Sequence, residues 1–312
     1  MENKLRERLN YKLLFKKITM KINIKYIITA LFLCLGNSLY AQLDPLSAQY
    51  FNNRYIVNPA FAGLENETNL NLAYRSQWNN VPGAPVAQNL TLDHGFNKVG
   101  LGINFVNDKS GLTRQTRAVA TFAYHLPVGS NGNKLNFGVS VGMMNQRLSN
   151  SDIVGNVNDP DANRYNERET YLDGDFGVAY TDKRLTLHAA FPNLKKILDS
   201  KEERFADIPR FFTSASYKFL FGAGIDAVVL EPQVAFRAIK GIDNIWDAGA
   251  QVAIIDRQIL FSGMYHSTKN ATFGLGMDFK KKYLISGLYT SNTAALNGYT
   301  TGNFEVNLRV KF

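Results

Sequence analysis

The chain has one cysteine, Cys34, and it lies in an apolar stretch near the amino terminus. Beyond it there is no thiol, which excludes disulfides, thiolate metal sites and cysteine nucleophiles from the body of the protein. No apolar run after that stretch approaches the roughly twenty residues that a spanning helix needs, so helical membrane spans are excluded. Amphipathic helical periodicity is equally scarce. The four histidines (His94, His125, His188, His266) stand apart, without H-E-x-x-H or related metal spacing. No G-x-S-x-G or other nucleophile context occurs. Asp159, Asp161 and Asn163 alternate as in some calcium loops, but the spaced glycine and distal bidentate glutamate are missing. The Gly100/Gly102 and Gly274/Gly276 pairs lead into no helix and are not phosphate cradles; alternating glycines suit small residues pointing into a crowded interior. The residues therefore offer no catalytic, cofactor or metal site, and the chain is expected not to be an enzyme.

A basic stripe for nucleic acid is also absent. The net charge of +9 is concentrated in residues 1–41, which hold eight basic and two acidic side chains and leave 27 and 24 in the remainder, or +3. That basic leader runs into "YIITALFLCLG" and "NSLYAQ": a positive segment, an eleven-residue apolar core and an A-x-A-like end at Leu39-Tyr40-Ala41. This is the pattern of a secretory signal peptide, with cleavage expected after Ala41 and translation starting at Met1 or Met20.

What is present instead is strands. Runs of about ten residues alternate apolar and small or polar with period two, each followed by a turn. "KVGLGINFVND" sets Val99, Leu101, Ile103 and Phe105 against Gly100, Gly102 and Asn104; "TLHAAF" sets Leu185, Leu187, Ala189 and Phe191 against Thr186, His188 and Ala190. The final "NFEVNLRVKF" sets Phe304, Val306, Leu308, Val310 and Phe312 against Glu305, Asn307, Arg309 and Lys311. Fourteen segments are expected, near 68–78, 85–95, 98–107, 114–127, 133–147, 169–181, 183–191, 209–221, 225–238, 244–255, 257–267, 271–280, 282–291 and 303–312. The inward face of 282–291 is ambiguous. Most of these segments are long for soluble strands and suit tilted bilayer crossings.

Loop lengths supply a separate test. Even-numbered connections are mostly tight, whereas the long ones, near 149–168, 192–208 and 292–302, all fall at odd positions. Outer-membrane barrels have short periplasmic turns and longer outer loops. The expectation is an all-β, transmembrane up-and-down antiparallel β-barrel of about 14 strands over 67–312. Residues 1–41 are the signal peptide and 42–66 a short N-terminal periplasmic or plug segment. Phe304, Val306, Leu308, Val310 and Phe312 belong to the barrel-closing strand, greasy side to lipid. Asp173, Asp175, Glu231, Arg237, Asp247, Asp278, Glu305 and Arg309 are expected in the lumen, with His125 and His188.

Before the barrel stands "QYFNNRYIVNPAFAG", aromatic and broken by Asn58-Pro59 and Gly63. It either tucks into the lumen or docks periplasmic components. Its hexapeptide Asn58, Pro59, Ala60, Phe61, Ala62 and Gly63 resembles the Asn-Pro-Ala-aromatic-Ala-Gly motif of the PorP/SprF family, membrane proteins of the Bacteroidetes type IX secretion system. "FPNL" (Phe191 to Leu194) resembles a second family feature, and terminal Phe312 resembles the ends that barrel-assembly machinery reads.

The resemblance implies an outer-membrane component of protein secretion and gliding motility. It would support export or surface attachment of an adhesin-like protein and contact periplasmic secretion components, with Asn58, Pro59, Ala60, Phe61 and Gly63 as partner-binding residues. Outer-membrane lipid is the surrounding partner. A passive porin or small-solute transporter is the alternative function.

Overall fold

Alternation along the chain becomes one closed wall. The computed structural model describes residues 49, 51–129, 131–149, 165–166, 170–195, 209–224, 227–239, 243–292 and 300–312. The predicted signal peptide and the Asp159/Asp161/Asn163 loop lie outside them. Fifteen strands run in chain order: β1 (Thr68–Gln77), β2 (Val86–Phe96), β3 (Val99–Ser110), β4 (Thr113–Val128), β5 (Asn133–Leu148), β6 (Tyr171–Thr181), β7 (Leu185–Phe191), β8 (Pro209–Tyr217), β9 (Phe219–Phe221), β10 (Val228–Ile239), β11 (Ile245–Ile254), β12 (Ile259–His266), β13 (Asn270–Phe279), β14 (Tyr283–Thr290) and β15 (Asn303–Lys311). Each pairs antiparallel with its neighbour, and β15 pairs with β1 from Asn69↔Lys311 to Gln77↔Asn303, which closes the sheet.

β8 and β9 are two parts of one stave, so the barrel has fourteen. On either side of the break they keep one register against β10, Gln233↔Ser216 and Leu230↔Phe219, leaving Pro232 and Glu231 opposite the gap at Tyr217 and Lys218; the register slips only at the far end of β8, between Ala238 and Ile239. Pro232 has no N–H to give the ladder, which accounts for the interruption inside the segment expected at 209–221. β7 starts two residues later than expected. The Asp182 carboxylate accepts the N–H groups of Arg184 and Leu185, and these bonds hold residues 182–184 as a turn. The same two donors hold the Asp182 carboxyl below the usual carboxylate range.

Period two sorts the side chains by face. Outside are Leu101, Phe122, Val141, Leu172, Phe273, Ile285 and Val306, with Val141 62 % and Leu172 66 % exposed. So much exposed apolar surface, continuous around a closed wall, is a lipid-facing belt. Inside, Asp173, Asp175, Glu231, Arg237, Asp247, Asp278, Glu305, His125 and His188 are buried, and Arg309 is half-buried. On β14 the inward set is Leu284, Ser286, Leu288 and Thr290, half apolar and half polar. Leu284 packs there on Val229, Ala253 and Leu260, so a small greasy patch inside the lumen explains the ambiguous pattern.

Candidate functional site

The segment ahead of β1 lies inside the lumen. Residues Arg54–Ile56 and Pro59–Phe61 form two 3₁₀ turns, and Tyr55, Asn58, Ala60, Phe61 and Ala62 are all buried. Asn58 starts the second turn by accepting the Ala60 N–H on its Oδ1 at 2.9 Å, with Pro59 supplying the fixed φ at the first position. Its amide Nδ2 donates outward to the wall, to Val178 O at 3.2 Å and Ala189 O at 3.0 Å.

The other anchors follow along the segment. Tyr55 Oη donates to Thr121 Oγ1 at 2.7 Å, and His125 Nε2 donates to Ala62 O at 3.0 Å. The Gly63 N–H donates to Asp93 Oδ2 at 2.9 Å, where φ +62 at Gly63 suits glycine. Arg54 pairs with Glu231 and donates to Ser216 Oγ at 3.2 Å. Phe61 stands edge-on to His188, ring centres 4.9 Å apart.

The wall is shaped to receive this segment. A Cβ built on Gly138 would fall on Pro59 C and Ala60 N, one on Gly177 on the Asn58 amide oxygen, and one on Gly100 on the Ala62 carbonyl. Gly102 would strike the Tyr55 hydroxyl, and Gly95 the carbonyls of Gly63 and Glu65. Glycines on β2, β3, β5 and β6 thus line a socket for the plug backbone. Gly274 and Gly276, alike in sequence, face wall side chains such as Ser262, Leu288 and Ser286 instead.

"FPNL" reaches into the lumen at the long-loop end. After Phe191 the chain turns inward at Asn193, and the N–H groups of Asn193 and Lys195 donate to Asp175 Oδ1 (3.0 Å) and Asp173 Oδ1 (3.4 Å). Arg117 bridges the same carboxylates at 2.7 and 3.0 Å. A cavity of about 150 Å³ lies between this strap and the plug, lined by Tyr55, Pro59, Arg117, Asp175 and Asn193. A vestibule of about 290 Å³ lies on the tight-turn side, lined by Tyr55, Arg54, Glu65, Asp93 and Lys311. Tyr55 borders both.

One cluster imitates a catalytic triad. Asp247 Oδ1 meets His266 Nδ1 at 2.6 Å, and His266 Nε2 meets Thr272 Oγ1 at 2.8 Å. Arg237 also holds both Asp247 oxygens at 2.9 Å, Thr272 Oγ1 bonds Thr290, and Thr272 is only 4 % exposed. A nucleophile must reach its substrate; this hydroxyl is enclosed and already bonded, and the cluster joins β10 to β14. No group of three or more His, Cys, Asp or Glu residues suited to a metal ion occurs among the described residues.

The residues singled out from the family motif, Asn58, Pro59, Ala60, Phe61 and Gly63, therefore sit together, with their contacts to the barrel's own wall. The closing-strand set (Phe304, Val306, Leu308, Val310, Phe312) is separate from them: Phe304, Val306 and Phe312 are exposed on the outer face, and Leu308 and Val310 are half-buried. Sequence reasoning missed Arg54, Tyr55, Asp93 and Glu231 as plug anchors. The available signal was the set of inward glycines, which implies something pressed against them. Replacing Asn58 by Ala removes the cap and the wall contacts to Val178, Ala189 and His188, a loss of about 1–3 kcal/mol. The expected result is faster hydrogen exchange over residues 58–64, with the barrel bands of unheated protein on gels unchanged.

Among curated proteins, no sequence matches this chain. Similar solved structures include a KdgM porin (9% identity, TM-score 0.39, 78% of this chain and 99% of that one). A double mutant of the Rh. blastica porin is similar at 11% identity and a TM-score of 0.35, over 79% and 99% of the two chains. The family model described as "Type IX secretion system membrane protein PorP/SprF" matches residues 39–310. With its closed, lipid-facing barrel, the protein is an outer-membrane member of the PorP/SprF family of the type IX secretion system.

Proposed function

We propose that this barrel works by recognition: it supports the export or surface attachment of a partner protein, of the adhesin class, by the secretion machinery. The observation that carries the reading is the occupied lumen. A plug anchored at Arg54, Tyr55, Asn58 and Gly63, with a strap pinned on Asp173 and Asp175 above it, leaves the barrel suited to holding a macromolecule at its outer loops rather than passing solutes. On this reading the long connections 149–168 and 292–302, and the part of 192–208 beyond the lumenal strap, hold the partner's terminal domain. The tight-turn side faces the periplasmic components. No reaction is assigned to the protein.

The test is deletion of the gene, followed by assay of surface display and by co-purification of the tagged barrel from membranes. Loss of display together with co-purification of a large secreted protein supports the reading; normal display in the deletion strain sinks it.

Small-solute passage is the second reading, and buried acceptors on β13 and β15 favour it. The buried acceptors Asp278 Oδ1, Asn303 Oδ1 and Asn307 Oδ1 meet no hydrogen-bond donor of the protein among the described residues. Buried acceptors of this kind call for water. Conductance in planar bilayers separates the two readings, since a plugged recognition barrel carries little steady current.

A further inference from the structure

The tight-turn rim carries more cationic charge than its turns require. Among the described residues it exposes Lys98, Lys183-Arg184, Arg257 and the run Lys280-Lys281-Lys282, against the exposed acids Asp256, Glu65 and Glu67, the last two of which pair with Lys311. The Lys282 N–H donates to Phe279 O at 3.1 Å, so Lys280 and Lys281 are the central residues of the turn, both left-handed at φ 55 and 57. A turn with positive φ at both central positions favours Asn-Gly, and lysine there carries a conformational penalty. The chain holds charge at this tip against local preference.

The lysines are also placed over lipid-facing rings. Lys280 Nζ lies 5.2 Å from the Phe279 ring centre, and Lys282 Nζ lies 5.6 Å from Tyr283 and 6.0 Å from Phe312. All three rings are exposed on the outer face, Phe312 at 69 %. Ammonium groups above a girdle of aromatic rings stand at the level of phospholipid headgroups. A soluble acidic protein would meet the turn tips, whereas these cations lean back over the membrane flank. Lys281 differs, because its Nζ pairs with Asp256 Oδ2 at 2.8 Å.

We propose that the Lys280–Lys282 turn, with Phe279, Tyr283 and Phe312, is a binding site for anionic phospholipid headgroups of the inner leaflet. Lys280 and Lys282 contact the phosphate, and Asp256 keeps Lys281 neutralised. The site is independent of the partner-recognition reading.

The experiment measures spin-labelled phosphatidylglycerol against spin-labelled phosphatidylcholine associating with the reconstituted full-length barrel at low salt. Each basic residue at an anionic surface is worth about a fivefold preference. Lys280→Asn with Lys282→Gln should lower the phosphatidylglycerol preference at least about tenfold. Asparagine suits the left-handed position, so the turn is retained. Asp256→Asn should act in the opposite direction, raising the preference about fivefold by releasing Lys281, an effect that a damaged barrel would not produce. Inorganic phosphate matched to the lipid phosphate should compete poorly, because it lacks the acyl chains that bring headgroups to the girdle. Equal lipid preference in all three proteins would overturn the proposal. So would unchanged lipid preference combined with loss of a co-purified acidic periplasmic protein from the lysine variant.

Discussion

Placing valine at Gly138 should raise the conductance of the barrel above that of the parent in resolvable steps, and excising Asn52–Gly63 should do the same. Gly138 lies on β5 with its missing side chain replaced by the backbone of Pro59 and Ala60. A valine there cannot coexist with those main-chain atoms, and overpacking of this sort costs about 1–3 kcal/mol. Valine is well suited to a strand, so the wall itself accepts the change. The plug must give way, and with it the contacts at Asn58, Tyr55 and Gly63. Glu231 is less exposed to this loss than the other anchors. Lys218 Nζ stands 4.0 Å from its Oε2, a second cation near the carboxylate that Arg54 would vacate. Gly142 is the control, since a Cβ there meets Ala118 and Val119 on the neighbouring strand. Gly142→Val should reduce the yield of folded barrel without raising conductance per molecule. An intact Gly138→Val barrel with the conductance of the parent would refute the socket.

The second large effect concerns the seam. Val306 is 58 % exposed on β15 and pairs with Tyr74 across the closure, whereas Asn307 is 6 % exposed and faces the lumen, where its amide reaches Ser286 Oγ at 3.5 Å. Arginine at Val306 puts a charge into hydrocarbon near the middle of the strand, a cost of about 2–4 kcal/mol. Leu308→Asp acts at the next outward position and should also impair insertion, since only the outward change sets a charge against lipid. Asn307→Asp adds its charge among Glu305, Arg309 and the other polar groups of the lumen. The measurement is the amount of each variant in the outer-membrane fraction: both outward variants should fall well below Asn307→Asp. Equal amounts would reverse the assignment of inside and outside.

The fold was legible in the sequence because a membrane barrel writes its rule locally. Each strand has one face in lipid and one in the lumen, so period two along Leu101–Phe105 or Phe304–Val310 reports its environment without any knowledge of its neighbours. Loop parity added orientation, because the two membrane faces tolerate different loop lengths. Inward charges such as Asp173, Asp247 and Glu305 followed from the same alternation. Where the alternation blurred, on β14, the reason was a patch of inward leucines that no single strand reveals. The break at Lys218 depended on Pro232 in the facing strand, a partner that only the pairing register identifies.

The plug was the part that sequence left open between a lumenal leader and a docking element. Asn58, Pro59 and Gly63 announce a turn in either location. The choice rests on long-range pairings, such as Tyr55 with Thr121, Asn58 with Ala189 and Arg54 with Glu231, between residues 66, 131 and 177 positions apart. Closing such loops costs entropy, which many simultaneous contacts repay only once the wall exists. The sequence by itself determined a strand-built wall with a greasy outside. Tertiary structure alone decided that the space enclosed would be occupied by the segment ahead of β1, because the socket is made of absent side chains, and glycine does not say what will occupy the room it leaves.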